Sequence, residues 1–393
     1  MKIRSVTVNT NIDDTNIGPV SSLLADARSE YPVEVQTSRV SVVPINGAFK
    51  DVGSALDSAC KLEELAISSQ IDYIGGFGLG AYPKIEELNF LKWLPKIFDR
   101  TDRIFSNCQL SWNKKINMLA IKSCSNLIKI LSKIDDGFLN LRFAGLFNCP
   151  PNNPFFPTSY ACGESPNFSI SIEGADIATK AFKNVETLLE ARNKFMMLMR
   201  DNYCVLLSKS LELEERYGIS FYGVDFTLAP TPSMEGSIAS ALEELGIEPF
   251  GSAGTLFLSS FLSDCIKSLG GKIGFSGLMY PVMEDGIIAK RTSQGLISLD
   301  SLLSYSSVCG TGLDCVPLPG DVSEKTLNAI LLDVSALSVR LEKPLTARLF
   351  PICGKRAGDT TEFDFPYFSN TRIMGIKEGK VKDWKDKEIK FNV

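Results

Sequence analysis

The 393-residue chain contains no histidine. That absence removes Ser-His-Asp and Cys-His nucleophile systems, HExxH metal sites and every imidazole general base. Any proton transfer falls to Asp, Glu, Lys, Tyr, Cys or water. The ten cysteines lie scattered from Cys60 to Cys353 and form no CxxC, so the common zinc and thioredoxin-type spacings are missing too. Thiols distributed in this way read as small buried hydrophobes in a reducing compartment. No apolar run reaches the roughly 18 residues needed to cross a bilayer. The opening "MKIRSVTVNT" alternates polar and apolar residues without an apolar h-region and does not read as a signal peptide. With 41 Lys+Arg against 46 Asp+Glu the net charge is −5, which leaves no basic footprint for nucleic acid or for an anionic membrane. The expectation is a cytoplasmic protein with neither nucleic acid nor membrane as partner.

What remains has an ordinary globular balance, 44% hydrophobic and 22% charged, enough for one large or two medium domains. β-rich runs recur at 2–9, 34–43, 71–75, 103–109, 140–146, 168–173, 219–228, 272–280 and 345–352. Helical patterns lie between them, at 52–69, 115–133, 175–217, 237–245, 255–269 and 324–341. Strands alternating with helices of this length argue for βα units around a mostly parallel sheet. Some nine strands exceed what most open sheets carry, which points to closure into a barrel. The barrel domain is expected over 1–375, with a charged tail at 376–393. The proline-rich "PPNNPFFP" (150–157) breaks helix and strand alike and is where two halves, 1–149 and 158–375, would join.

Five stretches could carry chemistry. "GGFGLG" (75–80) follows a strand but fails both GxGxxG and GxxxxGK[ST]; there is no nucleotide motif, nor one for haem or flavin. In "FGSAGTL" (250–256) a glycine turn precedes a helix, and free N–H groups around Gly251 and Gly254 can hold a carboxylate or phosphate; the alternative is an N-cap by Ser252 or Thr255. "GFSGLMYPVMEDGIIAKR" (274–291) ends a strand at Glu284 and Asp285, a carboxylate pair placed to act as acid and base or to hold Mg²⁺ or another divalent cation. The competing reading is favourable charge on a first helical turn. "KPLTARLFPICGKRAGDTTEFDFPYFSN" (343–370) delivers Arg348 on a strand and then a long loop with Lys355 and Asp359, too aromatic to be disordered and suited to a lid or plug. Finally, "YSSVCGTGLDCVPLPGD" (305–321) sets Cys309 and Cys315 among glycines and prolines, with Asp314 counted as a ligand-binding candidate.

Together "GVDFTLAPTP", "FGSAGTL", "GFSGLMYPVMED", "YSSVCGTGLDCVPLPGD" and "KPLTARLFPICGKRAGDTTEFDFPYF", with "NPFFPTSY" upstream, resemble the family called domain of unknown function 711, also described as pyruvate-formate-lyase-like. The resemblance implies a closed ten-stranded α/β barrel akin to glycyl radical enzymes and ribonucleotide reductases, with a thiol-bearing loop inside. It puts Cys309 at the family's cysteine, whereas Cys315 stands where many relatives have no thiol. Radical enzymes of that fold share an Arg-Val-x-Gly-aromatic motif. Here "TRIMGIK" supplies Arg372, Ile373 and Gly375 but has Ile376 for the aromatic residue, which favours a non-radical descendant over a true glycyl radical enzyme. Relatives associated with small amino-acid-sensing domains imply a partner protein of that kind.

The leading expectation is an enzyme, its reaction undefined, acting on a small anionic metabolite of amino- or keto-acid type. Cys309, Glu284 and Asp285 would be catalytic; Arg348, Lys355, Asp359 and Asp314 would bind substrate. The alternative is a non-catalytic metabolite-binding or regulatory protein on a former enzyme fold. A homo-oligomer is the default state. Cys309 is expected to react with alkylating reagents before Cys124, Cys204 and Cys265, which lie in apolar helical patterns.

Overall fold

The first β-rich run, "KIRSVTVN", is buried on both faces: Val6 and Val8 alternate with Ser5, Thr7 and Asn9, and all five are shielded from solvent. A strand of this kind needs neighbours on both sides, and the computed structural model, which describes residues 1–163, 165–379, 382 and 384–391, supplies them. The strands are β1 (Lys2–Asn9), β2 (Val35–Ser41), β3 (Tyr73–Gly75), β4 (Ser106–Trp112), β5 (Lys115–Asn117) and β6 (Phe143–Phe147). They continue with β7 (Asn167–Glu173), β8 (Ser220–Asp225), β9 (Gly312–Pro319), β10 (Leu345–Ile352) and β11 (Glu388–Lys390). They form two mixed sheets, one of five strands in the order β3-β2-β1-β7-β8 and one of six in the order β11-β5-β4-β6-β10-β9. β1 runs parallel to β2 and antiparallel to β7; β6 runs parallel to β4 and antiparallel to β10.

The α/β class stands, but neither sheet closes, and the expected ten-stranded closed barrel is replaced by these two open sheets. Among the described residues only isolated bridges form between the sheets, at Ile74–Ile104 and Leu79–Cys108 on one side and at Val224–Lys272, Leu228–Leu278 and Pro281–Asp314 on the other. The reason is local. The run "KIGFSGLMY" (272–280) reads as a strand, yet the chain passes through positive φ at Gly274 (+59°) and Ser276 (+37°), and no continuous ladder survives such turns.

Helices cover the apolar strand faces: α1 (Ile17–Glu30), α2 (Val52–Ser68), α3 (Leu94–Arg100), α4 (Met118–Leu131), α5 (Ala175–Phe182) and α6 (Leu188–Tyr217). Then follow α7 (Ile238–Glu244), α8 (Thr255–Lys267), α9 (Gly286–Ser293), α10 (Leu299–Ser306) and α11 (Glu324–Arg340). Asp51, Asn117, Thr187 and Ser323 cap α2, α4, α6 and α11 with side-chain oxygens, as short polar residues do before an apolar-periodic run. No helix among the described residues is long and apolar enough to cross a membrane.

The polar strand faces look the other way, onto the proline-rich segment. Ser5 Oγ and Thr7 Oγ1 donate to Pro154 O at 3.1 and 3.4 Å. Asn107 Nδ2 donates to Pro157 O at 2.7 Å and to Ser159 O at 3.1 Å. Prolines offer carbonyls without competing N–H groups, so strands whose inner faces carry hydroxyls and amides can hold such a segment in the interior. Phe155 and Tyr160 there cluster with Phe275, Met279 and Cys149, apart from the main apolar core.

Candidate anion-binding recess

Two irregularities in the ladders bring charge inward. Opposite β7, β1 shifts register between Ile3 and Ser5, leaving Arg4 as the extra residue. Opposite β10, β9 shifts register so that Asp314 and Cys315 face the single Arg348, with Cys315 at φ +47°. Bulges of this kind re-aim side chains that strict alternation would send elsewhere. Arg348 Nε donates to Asp314 Oδ1 at 2.6 Å and its Nη2 to Glu284 Oε1 at 2.7 Å. Arg4 Nη2 donates to Glu284 Oε2 at 2.9 Å and Nη1 to Glu173 Oε1 at 3.2 Å. The Cys315 thiol donates to Glu284 Oε1 at 3.2 Å. Two guanidinium groups thus hold three carboxylates.

A recess of about 590 Å³, counting its open mouth, adjoins this network. Arg4, Glu284 and Arg348 line it on one side, and Tyr73, Phe105, Phe156, Phe365 and Tyr367 give it an aromatic wall. Arg39 of β2 reaches it as well. Only 6% exposed, its guanidinium lies 4.9 Å from the ring centre of Phe156 and 5.8 Å from that of Tyr73, and Nε donates to Thr37 Oγ1 at 2.9 Å. Among the described residues Arg39 has no carboxylate as ion-pair partner. Burial, with the charge of Arg4 next in effect, pushes its pKa down to about 9. Burial alone would lift Glu284, but the guanidinium groups of Arg348 and Arg4 outweigh it and hold the acid below 4.5. Asp314 sits above 3.8, burial exceeding the pull of Arg348 and the charge of Glu284 adding to it. Burial drives the Cys315 thiol well above 9.0, so it stays protonated.

Of the residues expected from the sequence, Glu284, Arg348 and Asp314 come together here. Asp285 turns away from its neighbour: Oδ1 accepts from Ile287 N and Ile288 N, each at 3.0 Å, and from Ser237 Oγ at 2.6 Å, while Oδ2 accepts from Ile238 N at 2.8 Å. One buried carboxylate thereby caps both α7 and α9. A divalent cation does not fit this pair, because Asp285 is saturated by donors and Glu284 already faces two cations; among the described residues no three His, Cys, Asp or Glu side chains gather into a metal site. Lys355 pairs with Glu362 at 2.8 Å, and Asp359 accepts from Arg356 N at 2.7 Å in an exposed turn. Neither lines the recess. Gly251 N–H donates to Thr255 Oγ1 at 3.0 Å at the entry to α8, and Gly254 immediately precedes that helix. Both serve the helix start, outside the recess lining.

Cys309 is 1% exposed, and its sulfur accepts from Gly312 N at 3.4 Å. Its turn lies so close to 276–278 that a Cβ on Gly277 would sit 2.7 Å from Gly310 Cα. Lys343 Nζ fastens the same turn, donating to the carbonyls of Ser306, Ser307 and Cys309. Cys204 of α6, expected to be shielded, is exposed, as are Cys162 and Cys353. Gly375 is exposed too, which would leave a radical there open to solvent.

Sequence reasoning missed Arg4, Arg39 and Glu173. The available signal was a lone arginine inside an otherwise buried strand, "KIRSVTVN" and "TSRVSVV".

The family model described as "Uncharacterised ACR (DUF711)" matches residues 2–370. The chain belongs to the DUF711 family. Among curated DUF711 relatives, a UPF0210 protein of Caldicellulosiruptor saccharolyticus is 28% identical over 93% of this chain and 84% of its own length. One from Pyrobaculum aerophilum is 30% identical over 84% of this chain and 76% of its own, and one from Methanosarcina barkeri 28% over 86% and 78%. These DUF711 names carry no reaction and no pyruvate-formate-lyase label.

Proposed function

We propose that the recess binds a small organic anion, with Arg39 as its anchor. The observation that carries this reading is a buried guanidinium with a free edge, stacked on an aromatic ring and lacking an acid partner among the described residues. Unpaired buried charges are costly and persist where a ligand completes them. The stacking faces leave the in-plane N–H groups available for a carboxylate or phosphate. A binding or regulatory role is favoured over catalysis, because the acids beside the recess are tied up by guanidinium groups and the neighbouring thiol keeps its proton. An enzyme acting on the same anion is the second reading; the phenols of Tyr73 and Tyr367, which line the recess, are the groups able to carry protons for it.

Differential scanning fluorimetry with phenyl phosphate, 3-phenylpropionate and neutral benzyl alcohol tests the reading. A rise in Tm with the anions, absent with the alcohol and abolished in Arg39→Met, is expected. Equal shifts in wild type and variant would overturn it.

A further inference from the structure

The charges around the recess do not cancel pairwise. Arg4 and Arg348 face three carboxylates, Glu173, Glu284 and Asp314, so that network carries one negative charge in surplus. Arg39 carries one positive charge with no carboxylate in ion-pair contact among the described residues. A simple monoanion on Arg39 would leave a buried group of charges at −1, and isolated charge is expensive away from water.

We infer that the occupant is a zwitterion, an α-amino acid with an apolar or aromatic side chain, whose carboxylate meets Arg39 while its ammonium meets Glu284. The inference rests on the anion-binding reading and narrows it. A molecule with both charges satisfies the free guanidinium and the surplus carboxylate together and leaves the site neutral. Hydrogen-bond capacity on Glu284 agrees. Oε1 already accepts twice, from Arg348 Nη2 and the Cys315 thiol, whereas Oε2 accepts once, from Arg4 Nη2. A carboxylate oxygen has about two lone-pair sites, so Oε2 keeps one for an ammonium N–H. Glu284 itself lines the recess. The aromatic wall suits both ends of such a ligand, since ring faces attract ammonium groups and the same rings take up an apolar side chain. Tyr73, Phe105, Phe156 and Phe365 provide those surfaces.

The test is isothermal titration calorimetry on the full-length wild-type protein near neutral pH, with two matched series. L-phenylalanine is compared with 3-phenylpropionate, which lacks the ammonium, and with 2-phenylethylamine, which lacks the carboxylate; L-leucine is compared with 4-methylpentanoate and 3-methylbutylamine. At least one amino acid is expected to bind ten-fold or more tightly than both of its truncated analogues, and Arg39→Met is expected to lose that binding. Because the comparison is made between ligands on one protein, no misfolded variant can imitate the result. If the truncated acids, or phenyl phosphate, bind as well as or better than the amino acids, the zwitterion inference falls while the anion reading survives. If none of these anions binds, both fall.

Discussion

Replacing Arg39 by methionine should leave the ligand-free protein as stable as wild type or more so, and this outcome separates a binding residue from a structural one. Methionine retains the apolar stem that packs in the recess wall. The substitution removes the bond to Thr37 Oγ1, worth about 1 kcal/mol, and the stacking on Phe156 and Tyr73, worth about 1–2 kcal/mol. Against this stands the cost of holding the charge. A guanidinium pushed from 12.5 down to about 9 carries a penalty of about 5 kcal/mol at 1.36 kcal/mol per pH unit. The balance favours the variant by about 2–3 kcal/mol, and at about 2.1 cal/mol/K of unfolding entropy per residue Tm rises by about 2–4 °C. The effect has a pH signature. Between about pH 9 and 12.5 the unfolded chain binds the proton that folded Arg39 has given up, so wild-type stability rises with pH relative to the variant. Urea unfolding at pH 7 and pH 10 should therefore show the variant's advantage shrinking at the higher pH. A loss of more than 2 kcal/mol at pH 7, with the same loss at pH 10, would refute the reasoning and make Arg39 a structural residue.

Arg348→Ala should behave in the opposite way: it strands Asp314 and Glu284 in the interior, and a fall of about 3–5 kcal/mol in urea unfolding free energy is expected. A variant that unfolds like wild type would show that the two acids find other partners. Asp285→Ala should cost about 2–4 kcal/mol, since one carboxylate caps two helices, and circular dichroism melting checks it. In the native protein a small alkylating reagent should label Cys162, Cys204 and Cys353 well before Cys309 and Cys315; mass spectrometry showing Cys309 labelled first would mean that its turn opens.

The alternation of strands and helices was legible where local pattern and tertiary role agree. β1 and β10 fall on 2–9 and 345–352, and α11 begins at 324 as the periodicity predicts. It failed where backbone geometry overrules composition. The run 272–280 has the residues of a strand but not its dihedrals. The reverse holds at 312–319, whose glycine and prolines read as a loop, yet it forms β9. β9 is the last strand of its sheet, an edge where proline's missing N–H costs no ladder bond. In the site, Glu284 and Arg348 were visible because each follows from a strand expected to deliver polar groups. Arg4 and Arg39 were not, because a bulge aims one, and the acids that hold Arg4 and the Phe156 ring under Arg39 lie over a hundred residues away in the chain. Lys355 and Asp359 looked alike in sequence to Arg348, and only the packing of their loop separates them.

The central place of β1 has a consequence for synthesis. Its antiparallel neighbour begins pairing at Lys2–Glu173, and the one carbonyl that takes up both Ser5 and Thr7 belongs to Pro154. At about 5–20 residues per second, β1 waits on the order of 10–30 s after its own synthesis for its second partner and its buried segment to be made. Through that interval a β-branched strand with one open edge stands free beside β2 alone, the kind of surface that holdase chaperones cover. The central strand of the five-stranded sheet is thus secured only well after it is made, and substitutions that make its open edge stickier should show first as lost yield during expression rather than as a lower melting temperature.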